Sequence, residues 1–277
     1  MQGRSRSPRH WTWRLTEHPG GHSQHDPRAA DSAGRPWADR SFDANIFAGD
    51  SGEAPARLLE ALRRFRAAEL AQEDVLDAVR DARLLVPLVA HAGETAVDDH
   101  GRRFDKTQEL SLVTVSAPDG RRVLPVFTST EAMAAWNPVA RPIPASARRA
   151  ALAAAGEDTP LMVLDATSLT EFVFRRPMIR AIAEGAGWTH PSADPEIVAE
   201  FDRSIAQQRT IRALRLADGD PDARLSGPQV VVELELVPDL TRVELDDLLA
   251  ALQRRWQQNE VIAVGVDSLA VRLTEAH

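Results

Sequence analysis

The residues best suited to chemistry in this sequence are a carboxylate and two arginines at the ends of short apolar segments. Asp165 ends the segment 161–165, and Arg175 and Arg176 follow the apolar residues of segment 172–175. Sites in α/β proteins often lie at strand ends, and guanidinium groups bind carboxylates and phosphates. If these three side chains converge, they form a small-ligand site or an uncharacterised active site.

Other candidate groups lack a frame that would position them. The polar stretch 91–105 holds four potential metal ligands, which are His91, Asp98, Asp99 and His100. Closing a metal site in such a stretch costs ordering entropy, so we expect a solvated loop. Lys106, the single lysine, has no apolar neighbours that would lower its pKa, and His190 has no evident partner. We therefore expect no catalytic residue, no cofactor and no metal.

Composition excludes further classes of chemistry and of partner. The chain has 277 residues and no cysteine, which excludes disulfides, thiolate metal sites and cysteine nucleophiles. A net charge of −8 argues against nucleic acid and anionic membranes as partners. The apolar runs are shorter than the roughly 20 residues of a membrane-spanning helix. These features favour a cytoplasmic protein.

The hydrophobic pattern predicts an α+β chain of two small mixed α/β domains, each a short sheet covered by helices. Residues 1–45 lack periodicity, and we expect a disordered tail there. The first domain spans 46–190, and the second spans 191–277 after a Pro-rich segment. In the second domain, residues 261–266 and 269–273 are predicted to form a strand pair.

Two local signals predict helix starts. Thr128 with Glu131, and Thr241 with Glu244, have the spacing of a capping box. Between the helix that carries Trp136 and the helix over 145–155, we expect a connecting segment. We also expect strand 269–273 to be a sheet edge at which the chain could self-associate.

The function favoured by this pattern is a non-catalytic binding or regulatory protein that acts through protein–protein contacts. Aromatic residues and arginine are enriched at interfaces, and such residues cluster after segment 123–127. The partner is an unidentified protein, or a second copy of the chain. The predicted contact residues are Phe127, Thr128, Ser129, Trp136, Arg141, Arg175 and Arg176.

Several segments together resemble the SseB family (enhanced serine sensitivity protein) of actinobacterial type. They include RLLVPLV at 83–89, LPVFTS at 124–129, ARPIP at 140–144, LMVLD at 161–165 and FVFRRP at 172–177. The resemblance implies an SseB N-terminal domain followed by an SseB C-terminal-like domain. It carries no catalytic residue or cofactor. It also implies that about the first 33 residues are an upstream extension.

Overall fold

The computed structural model describes residues 12–13, 47, 49–90, 95–97, 103–105, 110–117, 119–156, 159 and 161–275. The predicted α+β class is confirmed. The described helices are α1 (Ala56–Arg66), α2 (Gln72–Arg80), α3 (Thr130–Trp136), α4 (Ala147–Gly156), α5 (Arg176–Glu184), α6 (Pro195–Ile205), α7 (Arg242–Gln258) and α8 (Glu260–Gly265). The described strands up to residue 126 are β1 (Thr12–Trp13), β2 (Arg83–Ala90), β3 (Thr95–Val97), β4 (Arg103–Asp105), β5 (Leu110–Leu112), β6 (Val115–Ser116) and β7 (Arg122–Val126). They continue with β8 (Arg141–Ser146), β9 (Leu161–Leu164), β10 (Phe172–Phe174), β11 (Ile211–Asp218), β12 (Val230–Leu236) and β13 (Leu269–Glu275).

The largest sheet has five strands in the order β1-β6-β7-β9-β10. Its central strands β7 and β9 are parallel, whereas β10 runs antiparallel to β9. Alternate residues of β7 enter different cores: Leu124 packs with α1, α2, α4 and α5, and Val123 packs on the opposite face. Both faces of this sheet are therefore covered, as the continuous apolar run of β9 requires.

The predicted tail lies outside the described residues, with one exception. Thr12–Trp13 forms β1, which pairs antiparallel with β6 at the edge of the five-stranded sheet.

A second sheet of three strands has the order β5-β2-β8. It joins the large sheet where the backbone of Leu85 exchanges two hydrogen bonds with Phe127, at 2.8 and 2.9 Å. The connecting segment before residue 145 contains a strand that the sequence pattern did not predict, because β8 pairs with β2 over Arg141–Ser146. Pro142 and Pro144 argued against a strand here, because proline is tolerated in a sheet only on an edge strand.

The C-terminal sheet has the order β11-β12-β13, with helices on one face. The capping box of Thr241 and Glu244 at the start of α7 is confirmed. The prediction of a strand over 261–266 is wrong, because these residues lie in or directly after α8. The Asn259 side chain caps α8 by accepting the Ile262 N–H at 3.1 Å. Because β13 is parallel to β12, the chain must cross over between them, and α7 and α8 form that crossover.

The loop between β11 and β12 leaves its own sheet and packs on the five-stranded sheet. The Val173 N–H of β10 donates to the Ala223 carbonyl at 2.8 Å. Ala223 and Leu225 are buried in the two cores on either side of that sheet. At the base of the loop, a Cβ on Gly219 would lie 2.3 Å from the Pro228 carbonyl oxygen, so this close approach requires glycine.

Candidate functional site

The predicted contact corner at residues 127–129 is mostly interior. Phe127 is fully buried and stacks on Trp136, with ring centroids 4.9 Å apart. Thr128 is also buried. Ser129 caps α3 by accepting the Ala132 N–H at 3.0 Å, so the cap lies one residue after the predicted Thr128. Phe127 and Thr128 are therefore interior residues in this structure, and their role in partner contacts stays a prediction.

An exposed surface lies on the β8 edge and the turn before it. We call Val139, Arg141, Pro142 and Ile143 the β8 surface. Val139 is 71% exposed and Ile143 is 43% exposed. The side chains of Arg141 and Pro142 are exposed as well. Arg141 and Ile143 thus lie on a strand that pairs with the central strand β2, and Val139 lies in the turn before that strand. Of the predicted contact residues, the structure places Arg141 on this surface, whereas half-buried Trp136 packs against Phe127.

The backbone edge of β8 is closed to a further strand. Pro142 lies opposite Pro87, and Pro144 lies opposite Leu85. Because proline has no N–H, both prolines occupy positions whose backbone points away from β2, and the outer edge lacks two donors. A ligand of this surface must therefore contact the side chains and not extend the sheet.

A second exposed feature is the loop between β9 and β10, which we call the Leu169 loop (residues 165–171). Leu169 is 88% exposed. The backbone is in the left-handed region at Asp165, with φ +47°, and at Thr167, with φ +70°. A β-branched residue with positive φ is a genuine outlier, and such strain is found preferentially where a segment has a function.

The Asp165 carboxylate holds this loop in place from inside the protein. It accepts the Thr128 N–H at 2.7 Å, the Thr128 hydroxyl at 2.8 Å and the Thr170 hydroxyl at 2.9 Å. Burial raises the pKa of the Asp165 carboxyl, and the hydrogen bonds from Thr128 and Thr170 oppose that shift. The carboxylate thus joins Thr128, after β7, to Thr170, in the Leu169 loop. Asp165 therefore positions this loop against the end of β7.

Two arginines brace the same loop from outside. Arg224 donates to the Leu169 carbonyl at 3.3 Å. Arg66 donates to the Glu171 carbonyl and, at 2.6 Å, to the Asp222 carbonyl. The Leu169 loop is therefore fixed by α1 and by the loop that follows β11.

The expected convergence of Asp165, Arg175 and Arg176 is wrong. In the antiparallel pair of β9 and β10, Leu164 lies opposite Phe172, and Met162 lies opposite Phe174. Asp165 and Arg175 consequently lie at opposite ends of this hairpin, and no common site exists for the three side chains.

Arg175 instead enters a buried network with the C-terminal part of the chain. Its guanidinium donates to Asp220 at 2.7 Å, to the Gly227 carbonyl at 2.8 Å and to Asp267 at 3.2 Å. Asp267 also accepts from Arg121 at 2.9 Å. Asp220 and Asp267 were not among the predicted residues; a buried arginine that needs counter-charges was the only signal for them.

Arg176 also has a structural partner. It donates to the carbonyls of Ala263 and Val266, both at 2.7 Å, and so binds the C-terminal end of α8. A cation at a helix C-terminus interacts favourably with the free carbonyls there. Arg175 is buried and Arg176 is exposed, and the role of both in partner contacts stays a prediction.

His190 lies in a polar junction that the sequence did not reveal. Its Nδ1 is 2.8 Å from the Ser192 hydroxyl, and its Nε2 is 3.5 Å from the Asp218 carboxylate. The His190 N–H donates to Glu73 of α2 at 2.8 Å. Burial lowers the pKa of the imidazole, while Asp218 and Glu73 oppose that shift.

The remaining candidate groups cannot be placed. His91, Asp98, Asp99, His100 and Lys106 lie outside the described residues. Within the described ranges, no three His, Asp or Glu side chains are grouped so that they could hold a metal ion. In the same ranges, none of the helices combines the length and the apolar character that a membrane span requires.

Comparison with known proteins identifies the N-terminal part of this fold. Residues 57–181 match the family model described as SseB protein N-terminal domain. The chain therefore contains an SseB N-terminal domain, which reaches from α1 into α5 and includes both the β8 surface and the Leu169 loop. No curated protein and no solved structure matches the chain.

Proposed function

We propose that this protein is a non-catalytic binding or regulatory module that acts through protein–protein contacts, with the β8 surface as its contact site. The observation that carries this proposal is the exposure of Ile143 and Arg141 on a paired strand and of Val139 in the turn before it. Arginine is enriched among the residues that dominate the binding energy of an interface, and the contacts around such a residue exclude water from it.

The ordered backbone of this surface makes it suitable for recognition. β8 pairs with β2 over Arg141–Ser146, and the Val139 N–H donates to the Asn137 side chain at 3.1 Å. A partner therefore meets side chains whose backbone is already ordered, and binding needs little further loss of conformational entropy. The same logic applies to Leu169, which we propose as a second contact point.

The roles of the reactive groups support the non-catalytic assignment. The Asp165 carboxylate accepts three internal hydrogen bonds. The Arg175 guanidinium is bound by two carboxylates and a carbonyl. A group that performs catalysis must be able to contact a substrate, whereas these groups hold segments of the chain together.

The test is affinity capture from the source cells with the full-length protein. The informative variant is Val139→Asp combined with Ile143→Asp, which places charge on the contact surface. The matched control is Leu152→Asp, which changes an exposed leucine on α4. We expect specific partners, quantified by mass spectrometry, to be lost with the double variant and retained with the control. Identical captured proteins for wild type, double variant and control, with all three folded, would refute the proposal.

We further propose that residues 191–277 form the SseB C-terminal-like domain of the actinobacterial type, and that the protein acts in the cytoplasm. The separate hydrophobic core of α6, α7, α8 and the C-terminal sheet supports a second domain. The cysteine-free sequence is compatible with a reducing compartment. Fluorescence microscopy of a tagged chain in the source cells tests the location.

A further inference from the structure

The edge strands of this protein differ in how well they are protected from pairing. Among the described strands longer than three residues, the sheet edges are β8, β11 and β13. β8 carries two prolines. β11 has a shift of register between Ile211 and Ala213, and such irregularities disturb an edge. β13 is seven residues long and has neither a proline nor a shift of register against β12.

The backbone of β13 offers a complete set of groups at its free edge. The Ser268 carbonyl accepts the Val230 N–H at 3.1 Å, so the backbone of Ser268 faces β12. Successive residues of a strand point their backbone groups to alternate sides. The N–H and C=O groups of Leu269, Val271 and Leu273 therefore face away from β12.

The side chains at this edge are apolar on the face that the helices cover only in part. Val271 is 36% exposed, and Leu273 is 40% exposed. In register they continue the rows of Val232 and Leu234 in β12, which are fully buried. A groove of about 390 Å³ opens beside Leu269, between β13 and the helices α7 and α8.

The charge pattern of β13 is compatible with antiparallel pairing to β13 of a second copy of the chain. Arg272 is the single charged residue between Leu269 and Leu273, and it pairs with Glu233 of β12 at 2.8 Å. A twofold axis at Val271 places Arg272 opposite Ala270 of a second copy. A twofold axis at Arg272 would instead place two arginines opposite each other, which is destabilising.

We propose that β13 pairs antiparallel with β13 of a second copy of this chain, with Val271 opposite Val271. The three-stranded sheets then join into one six-stranded sheet. Leu269 of each copy lies opposite Leu273 of the other, so that Leu273 of the second copy approaches the groove beside Leu269. This inference rests on the C-terminal sheet and is independent of the β8 surface.

The first test is the oligomeric state of the full-length protein in solution. Sedimentation velocity at protein concentrations about a hundredfold apart separates a reversible dimer from a monomer. We expect dimer for the wild type and a loss of dimer for Val271→Pro. Because the Val271 N–H faces the free edge, this proline removes an outward donor and leaves the ladder between β12 and β13 intact.

Cysteine pairing tests the register directly, because the chain has no cysteine of its own. Directly opposite residues in a hydrogen-bonded antiparallel pair have Cα atoms about 5.5 Å apart, within the range of a disulfide. We expect Val271→Cys to form an intermolecular disulfide at least about tenfold faster than Val243→Cys, since pairing raises the effective concentration of the thiols. Val243, on α7, is 69% exposed and serves as the matched control.

A wild type that is monomeric at every concentration would overturn the proposal. So would equal oxidation rates for the two cysteine variants. The oxidation rates decide the question even if Val271→Pro fails to fold. If the protein is a monomer and the amides of β13 are nevertheless protected from exchange, another segment of the same chain covers this edge. That result would also overturn the proposal.

Discussion

The Arg175 guanidinium lies 2.7 Å from the Asp220 carboxylate, and both side chains are buried. The pair joins the end of β10 to the loop after β11, 45 residues later. Asp220 also accepts the N–H groups of Leu225 and Ser226 at 2.8 and 2.9 Å. One carboxylate thus fixes its own loop and neutralises an arginine at the end of β10.

Asp220→Ala should therefore be among the most destabilising single substitutions in the chain. Removing one partner of a buried ion pair costs about 3–5 kcal/mol, because the remaining charge is left without compensation. Urea unfolding measures the loss. The control is Asp81→Ala, which removes the exposed ion pair with Arg57 and should cost at most about 1 kcal/mol. Equal losses for the two variants would contradict the assigned role of Asp220.

The buried carboxyl of Asp165 should make its own contribution to the pH dependence of stability. Because burial raises its pKa, the folded state binds this proton more tightly than the unfolded state does. Below the raised pKa, stability from this group increases as the pH falls and levels off below the ordinary value of 3.8. Relative to Asp165→Asn, the wild type should gain free energy of unfolding on acidification. Parallel pH profiles for the two proteins would contradict this expectation.

His190 should act in the opposite direction. Burial lowers its pKa below 6.5, so the unfolded state takes up the proton first as the pH falls. The stability that neutral His190 contributes is present above pH 6.5 and is lost below it, by at most about 1.4 kcal/mol per pH unit. The charged groups that shift the pKa of the His190 ring are Asp218, Glu73 and Arg175.

Unfolding free energies of wild type and His190→Gln, measured above and below pH 6.5, test this contribution. The wild type should lose more stability on acidification than the variant does. A variant that loses as much as the wild type would show that His190 is not responsible.

Thr167→Gly should stabilise the protein. Thr167 has φ +70°, a conformation that costs a β-branched residue on the order of 1–3 kcal/mol, while glycine adopts it without strain. Glycine loses more entropy on folding, so we expect a net gain of about 1 kcal/mol in thermal or urea unfolding. The N–H bond from residue 167 to Glu171, at 2.7 Å, is retained. The control is Thr170→Gly in the same loop, which removes a hydrogen bond to Asp165 and should lower the stability of the protein. If Thr167→Gly also lowers the stability, glycine does not relieve strain at this position.

The periodicity of the sequence predicted the elements with strong patterns, and it failed where distant residues decide. The capping box at Thr241 formed because its hydroxyl is exposed and has Glu244 as its neighbour. The same spacing at Thr128 predicted a cap that did not form. There the hydroxyl donates to Asp165, 37 residues away, and no local pattern reveals that acceptor.

The expected convergence of Asp165 with Arg175 failed for a geometric reason, which the sequence pattern partly indicates. Two short strands joined by a short polar segment form an antiparallel hairpin, which separates Asp165 from Arg175. The partners of Arg175 lie in two loops far along the chain, so their identity required the fold. The apolar run 261–266 is short enough to form either a helix or a strand. The parallel pairing of β13 with β12 requires a crossover before β13, and this run contributes a helix to that crossover.

The loop that carries Ala223 also determines which fragment of this protein can be produced alone. The stretch 57–181 that defines the SseB N-terminal domain ends before this loop. Expressed by itself, it would leave the Val173 N–H and the Arg175 guanidinium without their acceptors. Truncations at the border of the family match should therefore be insoluble or unstable, and a stable fragment should extend beyond Ser268, because Arg175 also donates to Asp267 and Ser268.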